Sequence, residues 1–306
     1  MSAISTPISI IGAGDGDEIV VNGVGAGVDG ITFGKDQVKG LYETPADVEY
    51  ARARKQRGAT FKGIELPDRK MQIGFNVAGR GGNWSDRHGF LRSLFTYHLD
   101  PWWDEDELAR FVAGVDDDRR ELHVAMSKEP QFAPAIDPAR LQYGNVFYEL
   151  IAAQPLWESP TIVTEFTTSG SSGSGTIPCS NPTDQTMFHT WKLTRGTWTL
   201  PDVSWTGAPR RRVRGGLYGN RMIPLLPVTS SHGTVEITLD PMKVMFRDAG
   251  QTNVMGQVGG GYWFMHAIPP HTPPTNLPIS VTGAPAGGAR AELHQPRLWG
   301  SFIGGY

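Results

Sequence analysis

The segment Gly25-Ala26-Gly27-Val28-Asp29-Gly30 reproduces the G-x-G-x-x-G spacing of a dinucleotide-binding turn. That chemistry needs the last glycine to open a helix, so that backbone N–H groups meet a pyrophosphate. The next residues, Ile31-Thr32-Phe33-Gly34-Lys35-Asp36, are too short a run and too glycine-punctuated for an amphipathic helix. The segment therefore reads as a turn. The acids Asp104-Glu105-Asp106-Glu107, beside Trp102-Trp103, raise a glycosidase with aromatic platforms. Such chemistry needs two carboxylates facing each other across a cleft, whereas consecutive acids suit a helix start. Asp116-Asp117-Asp118 lacks calcium-loop spacing. His266 and His271 are separated by Pro269-Pro270, which forbids the helical i, i+4 pair of a zinc site. No G-x-S-x-G elbow occurs, and Cys179 has no histidine close in sequence. The residues predict no enzyme, no cofactor and no metal.

Two groups suggest binding instead. Arg210-Arg211-Arg212-Val213-Arg214 forms a local positive stripe that aromatic residues do not continue. It predicts a protein–protein contact, with Arg210, Arg211, Arg212 and Arg214 meeting acids of another subunit. Trp191, Trp198 and Trp205 flank a hairpin turning at Arg195-Gly196. Facing outward they would make a carbohydrate-stacking surface; facing inward they are sandwich core.

The elements that position these groups are mostly short strands. Met71, Ile73, Phe75 and Val77 alternate with other residues, as do Leu122, Val124 and Met126. Residues 146 to 151 form a fuller apolar run, and strand-like stretches recur at 160–168, 187–193, 197–200, 221–228, 233–239, 261–268 and 276–282. Two helices are expected. One starts at Thr44-Pro45-Ala46-Asp47 and closes at Gly58; the other runs from Asp100-Pro101 to Gly114 with Leu108, Phe111 and Val112 inward. The Gly/Ser run 167–175 reads as a linker or long loop. We expect a mainly β chain with domains at 1–159 and 160–306.

Composition sets the outer bounds. Gly and Pro make up 61 of 306 residues, about 20%, against roughly 12% in average chains, which favours many turns over a helical bundle. A net charge of −3 gives no general attraction to nucleic acid or acidic lipid. One cysteine excludes an intramolecular disulfide framework. No apolar run is long enough to span a membrane as a helix, and the N-terminus lacks a basic leader segment. Use without a cleaved secretion signal is expected.

The turn Gly58 to Gly63 with the strand Arg69 to Val77, the strand ending Leu150 to Trp157, and Asn181-Pro182, Asp240-Pro241 and Arg297 to Gly300 in the second half together resemble the distal tail proteins of long-tailed, non-contractile bacteriophages, called minor tail proteins in phages of actinobacteria. Gly58-Ala59-Thr60-Phe61-Lys62-Gly63, leading to the strand Arg69 to Val77, is similar to the family's glycine turn and strand. Leu150-Ile151-Ala152-Ala153-Gln154-Pro155-Leu156-Trp157 is similar to its strand ending. Asn181-Pro182-Thr183-Asp184, the Trp191 strand, Asp240-Pro241, Ile268-Pro269-Pro270 and Arg297-Leu298-Trp299-Gly300 resemble its second half. The resemblance implies an N-terminal β-barrel or sandwich domain that forms a ring, expected as a hexamer, and a C-terminal galectin-like β-sandwich. It implies a structural virion protein at the tail tip, joining tail tube to hub and adsorption apparatus. Its implied partners are itself, the tube protein and the hub proteins. Genome DNA would pass through the lumen without specific binding, no membrane would be involved, and assembly would occur in the host cytoplasm. A receptor-binding sugar module and a cell-wall hydrolase are the alternatives.

Overall fold

A computed structural model describes residues 6–14, 16–79, 83–97, 108–114 and 118–304. The chain divides into two compact units, one of residues 1–159 with 300–304 and one of residues 160–299. The first unit carries β1 (Ile8–Ile11), β2 (Glu18–Asn22), β3 (Ile31–Lys39), β4 (Asp47–Ala51), β5 (Thr60–Glu65), β6 (Arg69–Ala78), α1 (Trp84–Ser93), β7 (Ala109–Ala113), β8 (Arg120–Met126), α2 (Pro138–Leu141) and β9 (Tyr143–Ala152). β10 (Trp157–Thr168) leads into the second unit. That unit continues with β11 (Gly173–Asn181), β12 (Thr190–Leu193), β13 (Thr197–Pro201), β14 (Trp205–Thr206), β15 (Val213–Arg214), β16 (Met222–Pro224), β17 (Val235–Thr238), β18 (Phe246–Arg247), α3 (Met255–Val258), β19 (Thr272–Thr282) and β20 (Ala289–Trp299). The mainly β class is what the short alternating runs dictate.

In the first unit the antiparallel order is β2-β1-β7-β8-β9-β6-β3, with β2 and β3 at the two ends and no closure into a barrel. The alternation at 71–77 places Met71, Ile73, Phe75 and Val77 on the buried face of β6. Phe75 lies 6.2 Å from Phe95 and 5.5 Å from Tyr148, and Phe95 lies 6.4 Å from Phe111 of β7. This aromatic cluster joins the sheet halves over one core. The glycine-rich turn ends at β3 rather than a helix. Gly30 sits at φ 76°, and a Cβ there would fall 2.2 Å from the Ala78 carbonyl oxygen.

Both expected helices are corrected. Residues 47–51 and 60–65 form the β4–β5 hairpin, because the apolar residues alternate as Val48, Tyr50 and Phe61, Ile64 without a helical stripe. Thr44 does not cap a helix; its hydroxyl donates to the Gly300 carbonyl. Of the second helix, 101–107 lie outside the described residues, while 109–113 are β7. That strand runs between β1 and β8, and Phe111, Val112 and Ala113 are all buried, so its continuous apolar run reflects burial on both faces. The longest helix among the described residues, α1, is capped by Asn83, whose side chain accepts from the Ser85 N–H at 3.2 Å.

The second unit is a two-sheet sandwich. One sheet has the order β18-β17-β12-β20-β10, the other β11-β19-β13-β16. Trp191, Leu193, Ile237 and Leu293 from the first face Ile177, Trp198, Leu200 and Ile279 from the second within one buried core. The Gly/Ser run lies inside this unit, with β10 and β11 on either side of its tip. β11 pairs with β19 from Gly173 to Asn181 through backbone groups that need no large side chains. Residues 261–268, expected as a strand, form a loop that joins Met187 through a β-bridge at Ile268.

Candidate functional site

In the first unit the feature that stands apart from the core is the β4–β5 hairpin. Register pairs Val48 with Ile64 and Tyr50 with Phe61, across an irregularity at Glu49/Tyr50, so these four share one face. All four are exposed, Tyr50 by 60% and Phe61 by 53%, and their rings meet edge-to-face at 5.9 Å. The tip between the strands carries Arg52, Arg54, Lys55 and Arg57, all exposed. Gln56 braces it: its carbonyl accepts from the Ala53 N–H at 2.9 Å and its amide donates to Thr60 Oγ1 at 2.8 Å. A lone two-stranded ribbon with an apolar face in water is marginal, which makes this face a candidate interaction surface.

The hairpin's base is fixed by a fully buried cation, Arg69 at the start of β6. Its guanidinium donates to the carbonyls of Leu41 at 2.9 Å and Gly300 at 3.1 Å, and to Thr44 Oγ1. Burial lowers the Arg69 pKa to about 10, opposed by Glu43. Arg120, also buried, donates to the carbonyls of Ser301 and Gly304 and to Asp118. Two arginines thus tie residues 300–304 to the first unit. Sequence reasoning missed both, because an arginine in a strand reads as solvated unless its carbonyl partners are known.

The structure scatters the sequence-predicted sites. Trp191 and Trp198 are fully buried, and the Trp198 indole N–H donates to the Thr194 carbonyl at 2.8 Å. Trp205 is half-buried against the same core. The three therefore form no exposed sugar platform, because β12 and β13 direct Trp191 and Trp198 inward between the sheets. Arg210 and Arg211 are exposed on the loop into β15, and Arg214 is exposed within that strand. Arg212 is half-buried, donating to the carbonyls of Pro270 at 2.9 Å and Gly207 at 3.3 Å. None of the four forms an ion pair among the described residues.

The reactive candidates also separate. Asp104 to Glu107, and Asp116 and Asp117, lie outside the described residues. Cys179 is buried in the sandwich, where burial pushes its thiol up to about 12. His271 donates its backbone N–H to Thr183. His266 lies beside Tyr218 with its Nδ1 3.3 Å from Asp202 Oδ2, too poorly aligned for a hydrogen bond. No group of three His, Cys, Asp or Glu side chains among the described residues is placed to hold a metal.

No family model matches the chain, and no curated protein matches it in sequence. Solved structures do. The Dit protein of phage SPP1, described as a paradigm of the hub adsorption apparatus in phages infecting Gram-positive bacteria, aligns over 94% of this chain and 98% of its own. The TM-score is 0.52 and the identity 12%. The phage P2 baseplate in its activated conformation with Ca aligns over 95% of this chain and 98% of the compared chain, at TM-score 0.45 and 7% identity. At 12% identity the likeness is one of fold: this chain has the fold of the SPP1 Dit protein.

Proposed function

We propose that this chain is a structural virion protein of a bacteriophage tail tip, a distal tail protein that forms a ring between tail tube and host-adsorption hub. The observation that carries the reading is the extent of the SPP1 Dit alignment, which takes in both units and nearly the whole of each chain. A closed ring consists of identical head-to-tail contacts, so each copy must offer two different complementary surfaces. The exposed apolar face and basic tip of the β4–β5 hairpin supply one. The other is the cleft lined by Asp17, Glu18 and Asp29, with Arg87 and Phe90 at its side. Six copies of 33.4 kDa make about 200 kDa.

In this reading the protein is not an enzyme, its partners are its own copies, the tube protein and hub proteins, and DNA passes the lumen without specific contact. Its place is the virion tail tip after assembly in the host cytoplasm. Gold-labelled antibody against the chain, applied to virions of the phage that encodes it, should mark the tail tip alone. Label on the head, along the tube or nowhere on the particle would contradict the reading.

A further inference from the structure

We propose that the second unit carries a binding site for a neutral pyranose sugar, built from Tyr218, Arg221, Trp263 and His266 around the buried Asp202. The inference is independent of ring formation. Asp202 follows β13 with its side chain fully buried. Its carboxylate accepts from the backbone N–H of Met265 at 3.1 Å and of His266 at 2.9 Å, and from the Arg221 guanidinium. Arg221 also donates to the Trp263 carbonyl at 3.0 Å and lies 5.8 Å from the Tyr218 ring centre. The Tyr218 and His266 rings are 5.3 Å apart. One buried ion pair therefore holds a loop without regular structure and the aromatic groups that it presents.

Stability alone does not call for this arrangement, since a buried ion pair is often no better than well-packed apolar residues. Its effect is a fixed surface. Trp263 is 57% exposed, and Tyr218 and Tyr262 are exposed beside it. The Tyr218 hydroxyl, the Trp263 indole N–H and the remaining Arg221 N–H groups make no hydrogen bond among the described residues. Flat apolar faces next to unused donors match a molecule with one C–H face and a rim of hydroxyls. The Arg221 charge is already met by Asp202, which favours a neutral ligand over phosphate or an acidic group. A protein partner would also use Trp, Tyr and Arg, but needs fewer unused donors at the centre of the patch.

The test is saturation-transfer NMR on the full chain with methyl glucoside, methyl galactoside, methyl mannoside, N-acetylglucosamine and rhamnose. We expect transfer to the ring C–H protons of at least one sugar, no competition by inorganic phosphate, and an affinity loss on the order of tenfold in Trp263→Ala. Tyr218→Ala should weaken the same sugar, and Trp263→Ala should melt like the parent, because the Trp263 ring is more than half exposed. Absence of transfer to all five sugars would overturn the proposal and leave the patch to a protein partner. Transfer unchanged in both variants would overturn it equally.

Discussion

Replacing Tyr50 and Phe61 together by serine should abolish self-assembly while leaving the isolated chain folded. The two rings are 60% and 53% exposed. Taking roughly 200 Å² for a large aromatic side chain, about 230 Å² of apolar surface is open to water at this pair. At about 25 cal/mol per Å², its burial against a neighbour is worth about 6 kcal/mol per contact, a gross upper value before association costs. In the monomer the loss is limited to the edge-to-face contact at 5.9 Å, roughly 1 kcal/mol. Mass photometry with the tail tube protein present reads the first quantity, and urea unfolding of the isolated chain reads the second. Assembly at parental concentration would overturn the assignment of this face to a neighbour. So would a stability loss of several kcal/mol, because it would mean that these rings serve a core.

His189 gives a pH prediction. Burial holds its pKa at about 4, against a lesser upward pull from Asp202, so the ring stays neutral in the fold while it protonates near 6.5 when unfolded. The associated stability is complete above about pH 6.5 and lost as pH falls toward 4, about 3 kcal/mol in all. Urea midpoints for His189→Gln should lack that part of the acid slope, and an identical slope in both proteins would contradict the assignment. If Arg210, Arg211, Arg212 and Arg214 meet acids of another subunit, replacing all four by serine should weaken assembly most at low salt. Assembly unchanged across a salt series would remove that contact.

The parts legible in the sequence are those where one face is dry and the other wet. β6 and β8 show this directly, since Met71, Ile73, Phe75, Val77, Leu122 and Val124 point into the core at every second position. β7 misleads because burial on both faces removes the alternation, leaving Phe111-Val112-Ala113 equally compatible with a helix. β11 is hidden in Gly/Ser composition, because its pairing with β19 is made by the backbone. β20 is obscured by Gln295 and Arg297, which occupy inward positions and satisfy their polar groups there; Arg297 donates to Ser180. The surfaces are less legible than the core. Tyr218 and Arg221 lie three residues apart, but Trp263 comes from a later loop, and the Arg221–Asp202 pair with its bonds to the Trp263 carbonyl and the Met265 N–H brings them to one patch.

Mass photometry combined with negative-stain imaging of the full chain, alone and with the tail tube protein proposed as its partner, tests the proposed ring closure directly. Copies that close on one another give a species of about 200 kDa with a central hole, either alone or seated on the tube. Particles that remain near 33 kDa in both preparations, with tubes left bare at their ends, would contradict ring formation.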